Sequence, residues 1–290
     1  MNKVNNPPRK FAIATHPSQP QVSDVARELA KRLYSLGADM ASVHTIYEPE
    51  LKKLVEEKDI DVLIALGGDG TMLRAGHLVA PTGIPVLGIN RGRFGFLMEI
   101  EEPDCDDRLQ QLLRGDYRLE DRMMLRSQHR RGNELIGEGN VLNEVVVSRG
   151  QFVRPIQVTA KLDGYLLASY VADGVIVATP TGSTAYALAV GGPIMPPELR
   201  NILIVAVAPH LSVDRSIILS EGARISLIVN TNHEAVLSPD GKSPITLLDG
   251  DVVEVFASEH SVKFVRFQDQ GYFYRNLYRY MEKNPITGAF

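Results

Sequence analysis

The tetrapeptide Gly67-Gly68-Asp69-Gly70 combines residue types that can do chemistry. Glycines let backbone N–H groups approach a phosphate closely, and a helix starting here would add positive potential from its N-terminus. Asp69 does not suit a simple phosphate cradle, because an ionised carboxylate repels phosphate. It suits a group that accepts a hydroxyl proton or helps hold Mg²⁺ during phosphoryl transfer. The same residues also describe a tight turn in which Asp tolerates a left-handed backbone.

Two further stretches carry polar groups at useful spacing. Asn143-Glu144 heads the apolar run Val145-Val146-Val147. An Asn amide can pair with the donor and acceptor edge of adenine, and a carboxylate can accept from ribose hydroxyls, although such pairs also end turns. Asp173-Gly174 precedes Val175-Ile176-Val177-Ala178 and then Thr179-Pro180-Thr181-Gly182-Ser183-Thr184-Ala185-Tyr186. This density of short donors and acceptors suits a flat polar ligand or a structural loop. Standard phosphate motifs fail. Gly241-Lys242-Ser243 ends like a P-loop, but Val236 stands where its first glycine is required, and Leu73 replaces the last glycine of a dinucleotide fingerprint. Asp240-Gly241 reads instead as a hairpin turn.

The elements that must position these residues follow from the apolar pattern. Phe11–Ala14 is a short apolar run, followed by Val22, Val25, Leu29, Leu33 and Leu36 at helical spacing, closed by Gly37. Val62–Leu66 runs into the glycine-aspartate turn, Thr71–Leu78 reads as a helix, and Pro85–Ile89 is a further strand. Apolar strands alternating with helices predict a parallel sheet covered on both faces, with its ligand site at the carboxyl ends of the strands. From about Tyr117 the period changes. Asp163-Gly164 and Arg131-Gly132-Asn133 mark turns between extended segments, and Ile225–Val229 and Val262–Phe267 read as strands, so the second part is β-rich. The acidic stretch from Glu99 to Asp107 reads as a solvated face and a helix N-terminus.

The 290 residues exceed one ordinary core and predict two domains. Hydrophobic residues at 44% and charged residues at 23% give enough apolar side chain for real cores and enough charge to cover them. A net charge of −4 argues against nucleic acid as the main partner. The single Cys105 cannot form an internal disulfide, and no Cys/His spacing suits zinc, which fits a reducing cytoplasm. No run approaches a membrane span and the N-terminus lacks the apolar stretch of a signal peptide, so a cytoplasmic location and no membrane partner are expected.

Gly67-Gly68-Asp69-Gly70-Thr71, Asn143-Glu144 and Asp173-Gly174 through Thr179–Tyr186, in this order and spacing, resemble the NAD kinase family. So do Gly88-Ile89-Asn90-Arg91-Gly92 with Phe94-Gly95-Phe96-Leu97, and Ala208-Pro209-His210. The likeness spans nearly the whole chain. Its glycine-aspartate motif is shared with lipid kinases and phosphofructokinases, whereas the Thr-Pro-Thr-Gly-Ser-Thr-Ala-Tyr stretch with an upstream Asn-Glu is far more specific.

The resemblance implies an α/β N-terminal domain with a Rossmann-like parallel sheet over 1–115, a β-rich NAD-binding domain over 116–267, and a C-terminal tail over 268–290 that returns to the first domain. It implies phosphorylation of the 2′-hydroxyl of the adenosine ribose of NAD to give NADP, with Mg²⁺ and with ATP or inorganic polyphosphate as donor, in a homodimer or homotetramer. Asp69 would be the proton acceptor, with Gly70 at the same ribose and Arg74 at phosphate. Asn143 and Glu144 would hold the adenosine, Arg154 another part of the dinucleotide, and Asp173 the nicotinamide side. Thr184, Ala185, Tyr186 and Ala189 would line the pocket and Ala208 would contribute backbone. No residue is assignable as a metal ligand. Ala187 and Ala189 stand where relatives carry hydroxyls, Lys242 where they carry Gln, and Val171 where a polar residue is common. Two rivals remain: a related kinase for a sugar phosphate or lipid, and a dinucleotide-binding regulator without turnover.

Overall fold

The computed structural model describes residues 7–18, 22–91, 95–101, 105–210, 215–275 and 277. Gly92 and Phe94 of the motif, and residues 276 and 278–290 of the C-terminal tail, lie outside the described residues. The chain forms two compact units, Met1–Asp121 with His260–Phe290, and Arg122–Glu259.

The first unit alternates strand and helix: β1 (Lys10–Thr15), α1 (Val22–Ser35), β2 (Met40–Thr45), α2 (Pro49–Glu56), β3 (Val62–Gly67), α3 (Asp69–Val79), β4 (Val86–Asn90) and α4 (Cys105–Leu113). The strands pair in parallel in the order β2-β1-β3-β4, and Phe264 of a long late strand adds a parallel partner beside Val86. Phe11, Ile13, Val62, Ile64 and Leu66 pack with Val22, Leu29 and Leu33 of α1 and Leu109 of α4. Every residue of β3 is buried, as a strand covered on both faces requires. Edge strand β2 is mostly half-buried and carries no continuous apolar run, which is why only its inner neighbours stand out in the sequence.

The second unit is a β-sandwich. It contains most of β5 (Arg118–Arg131), then β6 (Glu134–Val141), β7 (Glu144–Arg149), β8 (Ile156–Leu162), β9 (Tyr165–Ala172), β10 (Gly174–Ala178), a short helix α5 (Tyr186–Ala189), β11 (Asn201–Val207), β12 (Ile217–Ser220), β13 (Ile225–Asn230), β14 (Ala235–Pro239), β15 (Ile245–Leu247) and the first part of β16 (Val252–Arg266). One antiparallel sheet runs β12-β11-β10-β7-β14-β15, and β16, β13, β8 and β9 pair antiparallel in the other. Val145, Val147, Val175, Val177, Ile202 and Ile204 of the first sheet meet Val158, Tyr170, Ile225, Leu227 and Val255 of the second in one core. The units part inside β5 and β16, where no turn marks the change.

The loop before β16 is held by a buried carboxylate. Asp251 accepts from Arg131 Nε and Nη2 at 2.9 Å each, from the Leu248 N–H at 2.9 Å and meets His129 Nε2 at 2.8 Å. Burial alone would raise its carboxyl, but Arg131, the Leu248 N–H and His129 outweigh this and hold it well below the carboxylate range. The depressed pKa gives stability that is present above the unfolded value of about 3.9 and lost as pH falls through the folded one. Asp251→Asn is expected to lower the unfolding free energy at neutral pH by about 1–3 kcal/mol. It should also flatten the acid limb of stability against pH in urea unfolding.

Candidate active site

Strand β3 ends at Gly67 and α3 starts two residues later, so Asp69 sits in the first turn of a helix at the carboxyl edge of the parallel sheet. The turn is tight: a Cβ on Gly67 would lie 2.5 Å from Thr71 Oγ1. Residues 95–100 return along β4, with the Glu99 and Ile100 N–H groups donating to the Gly88 carbonyl at 3.0 and 3.1 Å. This return brings two donors to the carboxylate. The Phe96 N–H donates to Asp69 Oδ2 at 2.9 Å and the Leu97 N–H to Oδ1 at 3.1 Å. A Cβ on Gly95 would lie 2.2 Å from Asp69 Oδ1, so only glycine leaves room for the carboxylate there. Arg74 is exposed one turn along α3, and its Nη1 donates to the Gly70 carbonyl at 2.8 Å, which folds the guanidinium back over the helix start.

In the second unit, Asn143 immediately precedes β7 and Glu144 opens it, and the hairpin after β14 holds them. Asp240 accepts the N–H groups of Leu142, Asn143 and Glu144 at 2.7, 2.8 and 3.0 Å. Asp240 has φ 48° and Gly241 φ 65°, so the expected Asp-Gly turn is present, and it carries a clamp that the turn signal did not reveal. The Asn143 side chain is half-buried and makes no hydrogen bond among the described residues, and Glu144 Oε2 is buried without a partner. Both groups therefore have hydrogen-bonding capacity left for a ligand.

The hydroxyls of the Thr179–Tyr186 stretch have a structural role. Thr179 Oγ1 donates to the Leu142 carbonyl at 2.6 Å and accepts the Gly182 N–H at 3.0 Å. Ser183 Oγ donates to the Pro180 carbonyl at 2.7 Å and accepts the Met195 N–H at 2.9 Å, and Thr184 Oγ1 donates to the Thr181 carbonyl at 3.1 Å. A Cβ on Gly182 would lie 2.1 Å from the Asn143 carbonyl oxygen, so this 3₁₀ turn is pressed against the Asn-Glu segment. Ala187 is fully buried in a cluster with Ile176, Ala178 and Met195, whereas Tyr186 and Ala189 are exposed and Thr184 and Ala185 half-buried. Alanine at 187 is thus a packing residue.

The remaining candidates lie at the other end of the same sheet. Glu144 pairs opposite Ala178, whereas Gly174 pairs opposite Ser148 and Val207, about 13 Å away along β10. Asp173, ion-paired with Arg149 at 3.2 Å, and Ala208 adjoin that far end, and Arg154 is exposed on the loop after β7. Ala208 has φ 47°, a left-handed conformation that costs a non-glycine residue about 1–2 kcal/mol and that gathers at ligand clamps. His210 is exposed and its N–H donates to the Val171 carbonyl at 2.7 Å.

Glu99 departs from the sequence expectation. The acidic run does supply Asp106 and Asp107 to the first turn of α4, but the Glu99 side chain is buried against Arg266 at 3.1 Å. Its partner lies 167 residues away in the chain, beyond the reach of local patterning.

A parallel α/β unit with a glycine-framed carboxylate at its strand ends, together with a β-sandwich unit, defines a two-unit small-molecule kinase. The family models for the ATP-NAD kinase N-terminal and C-terminal domains match residues 25–117 and 142–267. The NAD kinase of Symbiobacterium thermophilum is 38% identical over 89% of this chain and 93% of its own length, and that of Heliobacterium modesticaldum is 36% identical over 90% and 94%. An NAD kinase from Archaeoglobus fulgidus, solved in complex with ATP, superposes with a TM-score of 0.70 at 26% identity, over 93% of this chain and 97% of its own. Yeast NADH kinase complexed with NADH shares the fold at a TM-score of 0.83 and 24% identity, over 99% of this chain and 90% of its own. The chain belongs to the NAD kinase family.

Burial pushes the Glu144 carboxyl up to about 8, the nearby Asp240 carboxylate adds to the rise, and the Tyr186 N–H partly offsets it. A raised carboxyl pKa favours the folded state below the unfolded value of about 4.3, and this advantage is lost as pH rises towards 8. Glu144→Gln, which cannot ionise, is expected to remove that loss. Thermal melts from pH 4.5 to 8 should show the variant gaining on the native chain as pH rises.

Proposed function

We propose that this chain transfers the terminal phosphoryl group of ATP to the 2′-hydroxyl of the adenosine ribose of NAD, with Asp69 as the proton acceptor. The observation that carries the reading is the Asp69 carboxylate, oriented by the Phe96 and Leu97 N–H groups at the start of α3. As the ribose oxygen attacks the γ-phosphorus, its proton passes to an Asp69 carboxylate oxygen. The bond from that phosphorus to the bridging oxygen breaks and ADP leaves with the electron pair. Positioning and electrostatics supply most of the acceleration, because phosphoryl transfer needs little covalent help from the protein. Inorganic polyphosphate, which presents the same terminal group, is the alternative donor.

Among the described residues, no group of three or more His, Cys, Asp or Glu side chains could hold a metal ion. Mg²⁺ usually keeps waters and is bound largely through substrate phosphates, so the phosphates of the donor would carry it. Bound there, the ion would neutralise charge on the transferring phosphoryl group. Gly70 would approach the ribose, and Arg74 would direct its remaining guanidinium donors to phosphate.

In the second unit, Asn143 and Glu144 would take the adenosine, Glu144 either accepting from a ribose hydroxyl or donating when protonated. Thr184, Ala185, Tyr186 and Ala189 would line that pocket. Asp173, Arg154 and the Ala208 backbone, at the far end of the sheet, are assigned to the rest of the dinucleotide. We assign the protein to the cytoplasm, on its single cysteine, and to a homodimer or homotetramer, on the family resemblance. Among the described residues no helix is long and apolar enough to cross a membrane.

Asp69→Asn keeps the size and one acceptor oxygen but cannot take the proton. NADP formation from NAD, ATP and Mg²⁺ is expected to fall by about 10²–10⁴-fold, with NAD binding by calorimetry retained. Near-native turnover would show that another group accepts the proton. Parallel assays with fructose 6-phosphate and diacylglycerol test the rival substrates.

A further inference from the structure

The Asp69 carboxylate depends on residues 96 and 97, and these depend on a buried cation. Arg266 has no solvent exposure. Its Nη1 donates to the Leu97 carbonyl at 3.2 Å and to Glu99 Oε2 at 3.1 Å, while Nε donates to Glu120 Oε1 at 3.1 Å. The other Glu99 oxygen accepts the Phe267 N–H at 2.8 Å, and Arg118 Nη2 donates to Glu120 Oε2 at 3.0 Å. Phe264 and Tyr272 stack within 5.2 and 5.3 Å of the guanidinium. Two arginines and two glutamates thus form a charge-balanced cluster around Arg266, whose Nη2 is buried without a hydrogen-bond partner.

A cluster of this kind is a poor source of stability. Desolvating the charges offsets most of their attraction, and well-packed apolar residues of similar volume often stabilise as much or more. Fixed geometry is the better account of it. Arg266 grips the carbonyl of Leu97, whose N–H holds Asp69 Oδ1, and grips Glu99 two residues on. The guanidinium fork can reach the Leu97 carbonyl, Glu99 and Glu120 together, which a single ammonium cannot do.

We propose that Arg266, acting with Glu99, is a positioning residue for phosphoryl transfer, setting the place of the Asp69 carboxylate through Leu97. The proposal rests on Asp69 as the proton acceptor. It predicts that loss of Arg266 lowers turnover through Asp69 and leaves substrate affinity alone.

The test is a double-mutant cycle on the full chain, reading kcat and KM for NAD, with thermal melts to compare folding. Arg266→Lys is expected to lower kcat by about 100-fold, the scale of a 1 Å misplacement, with KM for NAD unchanged. Added to Asp69→Asn it should cause little further loss, because the two residues act as one unit. Native kcat in folded Arg266→Lys, or a loss that multiplies fully onto Asp69→Asn, would overturn the proposal. If Arg266→Lys does not fold, Glu99→Gln and Glu120→Gln decide. Both disturb the cluster, but only Glu99 belongs to the Asp69 segment, so kcat should fall further in Glu99→Gln than in Glu120→Gln. Equal losses in the two would count against positioning. An active Asp69→Asn enzyme would remove the base assignment itself, whereas an inactive Asp69→Asn beside an active Arg266→Lys would remove only the role of Arg266.

Discussion

The carboxylate of Asp69 is fastened at both oxygens, to the N–H groups of Phe96 and Leu97, and much of the first unit can be understood from that pair of bonds. Hydrogen bonds to a charged group contribute about 1.5–3 kcal/mol each. Their larger effect here is directional, since a carboxylate at the mouth of a glycine turn would otherwise sample several rotamers. Three glycines meet this requirement. Gly67 lets β3 turn into α3 against Thr71, Gly95 leaves space beside the carboxylate, and Gly88 on β4 receives the returning segment. The buried Arg266 then ties that segment to the last strand.

The second unit uses the same device for another purpose. Asp240 gathers three consecutive N–H groups at Leu142–Glu144, and the Thr179 and Ser183 hydroxyls pin the following 3₁₀ turn. Buried polar groups need partners, and nearly all of these find one in the backbone. Asn143 and one oxygen of Glu144 are left over, in a frame rigid enough to present them. The raised Glu144 pKa follows from that arrangement, because a buried carboxyl beside Asp240 is more easily kept neutral.

Much of the fold can be read in the sequence where local order dominates. Val62–Leu66 followed by glycines could hardly be other than a buried parallel strand meeting a turn, and the Asp163-Gly164 and Gly132-Asn133 turns sit where hairpins demand them. Edge strand β2 and short helix α2 lack such signals, since half-exposed positions blur their periodicity. Asp69, Asn143 and Glu144 were legible as candidates. The groups that hold them were not: Phe96 and Leu97 contribute only backbone, Asp240 reads as a turn residue, and Glu99 sits in a run that resembles a solvated face. The Thr-Ser hydroxyls read either as ligand contacts or as loop-building, because both use the same side chains, and Thr179, Ser183 and Thr184 all bond within the loop and its neighbours.

Gly95 gives the most direct access to the central claim, that the fixed Asp69 carboxylate drives the transfer. A methyl group at 95 would occupy the place of Asp69 Oδ1, at 2.2 Å, without altering any charge or hydrogen-bonding group. The decisive measurement is the rate of NADP formation by folded Gly95→Ala, beside its calorimetric affinity for NAD. The account predicts a rate lowered by about 100-fold or more with affinity retained. A native rate in a folded Gly95→Ala protein would contradict it.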